Sequence, residues 1–146
     1  MLDPMKTPTP TKSTPVAPPT RVLCVDDNPD ITEVMRMVID TEPRIQCIGC
    51  LSCADQLIET VRGMSPPPDV VLLDATMPGK SPLVATSEMA ADFPAIRTIV
   101  YSGYNDAAFI NRAKAAGAWG FVSKTDEPDA ILRAILDVAA GNAWWP

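Results

Sequence analysis

The sequence predicts an α/β domain built on one doubly wound parallel sheet with helices on both faces. Two observations carry the prediction. From Arg21 onward, short apolar runs rich in Val and Ile alternate with segments whose apolar residues recur at helical spacing. Strands separated by helices join through right-handed crossovers, and these cover both faces of a parallel sheet. The second observation is Val70-Val-Leu-Leu73, a continuous run of β-branched and leucine residues. A strand buried on both faces has this composition.

Taken in order, residues 1–20 stand apart. Pro4, Pro8, Pro10, Pro15, Pro18 and Pro19 are interleaved with threonines and almost no large apolar residues. Such a segment buries too little surface to offset the entropy of ordering, so it reads as a flexible leader. Val22-Leu-Cys-Val25 is the first strand and runs into Asp26-Asp27. Asn28-Pro29 starts a helix, with Pro in its first turn, and Ile31, Val34, Met35 and Val38 follow at helical spacing. Pro43 closes this unit, and residues 45–50 read as the second strand.

Residues 54–62 read as the second helix, with Leu57, Ile58 and Val61 on one face and Gly63 at its end. Ser65-Pro-Pro-Pro68 is a stiff loop into the Val70 strand, which stops at Asp74 ahead of Pro78-Gly79. A third helix spans residues 82–92, and residues 96–101 form a fourth strand followed directly by Ser102-Gly103. Asn105 or Asp106 caps a fourth helix that Gly117 ends. Residues 119–123 make a fifth strand leading to Lys124. The last helix starts near residues 126–128, carries Ile131, Ile135 and Val138 on one face, and ends at Gly141-Asn142. Residues 142–146 are a tail or linker stub, and the pattern leaves open whether Trp144 and Trp145 are an exposed junction or fold back. Residues 21–141 thus form one domain. Five βα units favour the flavodoxin-like (βα)5 arrangement with strand order 2-1-3-4-5.

The totals exclude several function classes. The 146 residues suit one ordinary domain, and 47% hydrophobic with 21% charged residues is a globular composition. A net charge of −6 argues against non-specific nucleic-acid binding by this chain. No apolar run has the length of a membrane span or a signal-peptide core, so no membrane contact is expected and the cytoplasm is the expected compartment. Histidine is absent, which removes His-based catalysis and phospho-histidine donation.

Cys47, Cys50 and Cys53 spell C-x-x-C-x-x-C. An iron–sulfur cluster, a zinc site or a redox pair is one reading. A ferredoxin run needs a further Cys and then Pro, where Leu57-Ile58 stand. Residues three apart in a strand also point to opposite faces. The expectation is therefore free cysteines acting as small apolar groups.

The carboxyl ends of all five strands share one rim, where open α/β sheets place their chemistry. Strand one delivers Asp26 and Asp27, strand three Asp74, strand four Ser102 and strand five Lys124. Clustered carboxylates repel and raise one another's pKa values unless a counter-charge is present. Lys124 supplies one, and a hard divalent cation such as Mg²⁺ suits an all-oxygen donor set. A carboxylate in such a site can attack phosphorus and form an acyl phosphate, with metal and lysine spreading the developing charge. A hydroxyl at Ser102 would then donate to a phosphoryl oxygen only while phosphate is present, which makes a switch.

Val-Asp-Asp-Asn28, Leu-Leu-Asp-Ala-Thr-Met-Pro-Gly79, Tyr-Ser-Gly103 and Gly-Phe-Val-Ser-Lys124 occur in this order at the strand ends. The set resembles the receiver domain of bacterial two-component response regulators, from Arg21 to about Gly141. The resemblance implies Asp74 as phosphoacceptor. Asp27 would be the direct Mg²⁺ ligand, Asp26 a supporting one partly through water, and the backbone carbonyl of Thr76 a further one. It also implies that Ser102 turns toward the phosphate, that Lys124 is the family lysine, and that Phe121 changes burial when the hydroxyl moves. The implied phosphoryl donor is a sensor histidine kinase or a phosphotransfer protein. The implied output face is helix 4, strand 5 and helix 5, through which homodimers form. The implied chemistry is self-catalysed phosphotransfer and autodephosphorylation, without the turnover of an enzyme.

Where many receivers have Lys-Pro, this chain has Lys124-Thr125. That dipeptide, the glycine-rich approach to strand five and the ending Ala-Ala-Gly-Asn-Ala-Trp-Trp-Pro146 resemble receivers that precede a helix-turn-helix DNA-binding domain. The chain then reads as a stand-alone receiver or the front half of a regulator.

Three rivals are weaker. Gly79-Lys80-Ser81 matches the end of a P-loop, but Asp74 stands at the motif's first glycine. A haloacid-dehalogenase-type phosphatase needs a second acid where Thr76 stands. An interaction domain that signals without phosphorylation would not need the full acidic set.

Overall fold

The computed structural model describes residues 17–103 and 106–146. Most of the expected leader and the alternative cap Asn105 lie outside the described residues. One parallel sheet has the order β2-β1-β3-β4-β5, as the alternating pattern predicts. Its strands are β1 (Thr20–Val25), β2 (Ile45–Leu51), β3 (Val70–Asp74), β4 (Arg97–Ser102) and β5 (Gly120–Ser123). The helices are α1 (Pro29–Asp40), α2 (Leu57–Arg62), α3 (Pro82–Asp92), α4 (Ala107–Ala115) and α5 (Pro128–Ala139).

Local chemistry starts the helices. Asn28 Oδ1 accepts from the Asp30 amide ahead of α1, Ser81 Oγ from Val84 ahead of α3, and Asp106 Oδ1 from Phe109 ahead of α4. Proline occupies the first turn of α1, α3 and α5, where its missing N–H costs nothing. The second helix differs from its expected form. Residues 54–56 make a tighter 3-10 turn before α2, and neither Cys53 nor Gln56 supplies a side-chain cap.

Alternation along the strands divides the core. Val22, Val70, Leu72, Ile99 and Val122 face α1 and α5, meeting Met35, Ile39, Ile131 and Ile135. Leu23, Val25, Val71 and Leu73 face α2 and α3, meeting Leu57, Val61, Ala85 and Met89. All five residues of β3 are buried, which makes it the centre of both layers. Each such side chain contributes about 1.5–3 kcal/mol on full burial.

Two features depart from a simple reading. In β1–β2 the register runs Val22↔Cys47 and then Leu23↔Gly49, so Ile48 is an extra residue in β2. Such a bulge reverses the alternation beyond it. Cys47 and Cys50 therefore face the same side, contrary to the expectation that residues three apart diverge. The tail question is also resolved, because Trp144 folds back beside β5. Its amide donates to Trp119 O at 3.0 Å, and Phe121 N donates to Trp144 O at 2.9 Å. The approach is close at Gly120, where a Cβ would lie 3.0 Å from Trp144 O and force the tail to shift. The Lys124-Thr125 bond is trans.

Candidate functional site

Parallel pairing of β1 with β3 aligns Val25 with Leu73, so the next residues, Asp26 and Asp74, emerge together on the rim. Asp74 is 1% exposed and Asp26 is 7% exposed, whereas Asp27 faces solvent. One carboxylate oxygen from each of the three lies within 4.8 Å of the others.

Lys124 leaves the end of β5 and crosses toward this cluster. Its Nζ lies 3.1 Å from Asp74 Oδ1 and 3.6 Å from Asp26 Oδ2. Backbone amides add to these partners. Thr76 N donates to Asp74 Oδ1 at 3.1 Å, and Asn28 N donates to Asp26 Oδ1 at 2.9 Å. Among the described residues, Asp26 Oδ2 is buried and has no hydrogen-bond donor.

Burial pushes the Asp74 carboxyl above the usual aspartate range, and the Asp26 charge adds to this. The Thr76 amide and Lys124 pull the other way without cancelling it. For Lys124, burial opposes its charge, but Asp74 and Asp26 outweigh that and hold its pKa above normal. The group at the rim is thus one cation facing three acids, an excess of negative charge in a partly dry setting.

Ser102 is 1% exposed at the end of β4, beside β3, and its carbonyl accepts from Lys124 N at 2.8 Å. Thr76 is exposed in the turn after β3. Phe121 is not on the rim. It is buried on the α4 side of β5, where its ring meets Phe109 edge-on at 6.2 Å and packs with Trp145. The structure therefore gathers Asp26, Asp27, Asp74 and Lys124, puts Ser102 at the adjoining strand end, and sets Phe121 in a neighbouring apolar cluster.

Two contributors were not read from the sequence. Lys124 Nζ lies 5.4 Å from the centre of the Tyr101 ring, an attraction that helps aim it. Asp55, far away in sequence, accepts from Lys80 N at 2.7 Å and pins the turn that follows Asp74. Nothing local marks either residue. The P-loop rival loses support here, because Lys80 is ion-paired with Glu88 and Ser81 caps α3.

A sequence model of the response regulator receiver domain matches residues 22–136. Response regulator GacA of Pseudomonas aeruginosa is 33% identical over 125 residues, covering 85% of this chain and 57% of that protein. The nitrate/nitrite response regulator protein NarL of Escherichia coli is 31% identical over 124 residues, 85% of this chain and 56% of that protein. The chain spans about half the length of these curated relatives. Among solved structures, a LuxR-family two-component response regulator from Aurantimonas sp. SI85-9A1 superimposes with a TM-score of 0.81 at 28% identity, covering 86% of this chain and 89% of that one. The signal receiver domain of the putative response regulator NarL from Mycobacterium tuberculosis gives 0.80 at 25% identity, covering 86% and 100%.

Proposed function

The chain belongs to the response regulator receiver family, and from that premise we propose that Asp74 accepts a phosphoryl group from a sensor histidine kinase or phosphotransfer protein. The observation that carries this is the environment of Asp74. It is a buried carboxylate with a lysine at 3.1 Å and two further carboxylates within 4.8 Å. A residue meant only to start a turn needs none of these.

In the transfer, an Asp74 oxygen attacks phosphorus, an O–P bond forms and the P–N bond of the donor phosphohistidine breaks. Lys124 holds one phosphoryl oxygen by a charge-assisted hydrogen bond. The buried Asp26 Oδ2, which lacks a donor, and the all-oxygen cluster fit a hard cation. Asp26, Asp27, Asp74 and the Thr76 carbonyl would hold Mg²⁺ there. When bound, Mg²⁺ supplies charge that stabilises the transferring phosphoryl oxygens.

Ser102 turns its hydroxyl to the phosphoryl group, and Phe121 repacks against Phe109 in response. The message leaves by the face of α4, β5 and α5, through which the phosphorylated chain dimerises. In a longer regulator such a receiver would control a DNA-binding effector, as suits relatives named as response and transcriptional regulators that are about twice as long. It works in the cytoplasm and turns over no substrate beyond its own phosphorylation and dephosphorylation. Residues 21–141 act as the receiver and 142–146 as a tail or linker stub.

The test is incubation with acetyl phosphate and Mg²⁺, followed by intact mass. The expected result is one phosphoryl group per chain, lost on chelation of Mg²⁺ and in Asp74→Asn. Uptake that persists in Asp74→Asn would move the acceptor elsewhere.

A further inference from the structure

The bulge in β2 places thiols where an ordinary strand would separate them. With Ile48 as the extra residue, Cys47 pairs with Val22 and Cys50 with Cys24. Val22 and Cys24 share one face of β1, so all three cysteines lie on the α1 side. Cys47 Sγ and Cys50 Sγ are 4.0 Å apart, and all the cysteines are free thiols. From α1, Arg36 Nη2 donates to Cys50 Sγ at 3.3 Å. Cys50 and Arg36 also line an open cavity of about 600 Å³ that continues to Asp26 and Asp27.

We propose that Cys50 is a modification site for hydroperoxides, with Cys47 as the thiol that captures the oxidised sulfur. An oxidant-sensing cysteine needs thiolate character, access to solvent and a second thiol in reach. Cys24 and Arg36 supply the first, the cavity the second and Cys47 the third. The neighbouring Cys24 thiol and then Arg36 hold the Cys50 thiol down to about 5, despite its partial burial. A bound soft metal ion is the weaker reading. Among the described residues, the group of acid and thiol ligand atoms gathered within 4.8 Å is the aspartate cluster, not the three sulfurs.

The chemistry balances with the peroxide as sole oxidant. The Cys50 thiolate attacks the outer oxygen, the S–O bond forms and the O–O bond breaks. Hydroxide or alkoxide leaves and takes a proton from water. Sulfur has lost two electrons and the peroxide has gained them. Cys47 then attacks the Cys50 sulfur, the S–S bond forms, and the S–O bond breaks. The Cys47 proton leaves with the hydroxyl as water. The sulfurs must close from 4.0 Å to about 2.05 Å. The unpaired Ile48 and the adjacent Gly49 give the strand room to do so.

The test treats the reduced full chain with hydrogen peroxide, with and without dimedone. Tandem mass spectrometry then reads the tryptic peptide 45–62, which holds three of the four cysteines, and peptide 22–36, which holds Cys24. The native chain should form a Cys47–Cys50 disulfide, and Cys47→Ser should instead carry dimedone on Cys50. Arg36→Gln, checked for wild-type melting, should oxidise roughly tenfold more slowly. First oxidation at Cys53 or Cys24, or an unchanged rate in Arg36→Gln, would overturn the proposal. None of these readouts depends on phosphorylation of Asp74.

Discussion

Asp74 ionises against its surroundings. It is buried beside Asp26, and its pKa is held above the ordinary aspartate value. A folded-state pKa above the unfolded one means that stability is greatest below the unfolded value and falls as pH rises through the folded one. Asp74→Asn removes that penalty. In the absence of divalent cations it should melt at a higher temperature than the native chain at pH 7. The gap should shrink as pH falls into the range where the native carboxyl is itself protonated. A gap that widens on acidification would contradict the burial account. The cluster at the rim was legible in the sequence because each member ends a strand, and strand ends in a parallel sheet share an edge. Tyr101 and Asp55 were not, since one acts through its ring face and the other from a remote turn.

β3 carries the acceptor and is the most enclosed element. Leu73 is fully buried between β3 and the α2–α3 layer. Leu73→Ala leaves a cavity there and should cost about 2–5 kcal/mol in denaturant unfolding. That is a large share of the ~5–15 kcal/mol typical of a domain. A cost below 1 kcal/mol would mean the layer collapses freely around the gap. β2 shows where element-level reading stops. Its apolar content marks a strand, but the bulge at Ile48 depends on pairing with β1, and no local residue announces it. The face assignment of the cysteines failed for that reason.

For the whole molecule, alternation and crossover handedness left few topologies, and the common five-stranded order among them is the one observed. The tail was beyond that logic. Trp144 binds the edge of β5 by backbone groups, and Trp145 joins Phe121 and Phe109 while Lys114 lies 5.0 Å over its ring. The chain's last residues thus sit against the same cluster that holds Phe121. Gly120→Ala should displace the tail while sparing the sheet. Trp emission should shift to the red with far-UV circular dichroism unchanged. Unaltered emission would show that the contact with Gly120 does not hold the tail.

The central claim is that Asp74 is the residue whose covalent state this fold is arranged to sense. Intact mass after incubation with acetyl phosphate and Mg²⁺, comparing the native chain with Asp74→Asn, tests it most directly. The account predicts one added phosphoryl group on the native chain and none on the variant. No addition to the native chain, or equal addition to both, would contradict it.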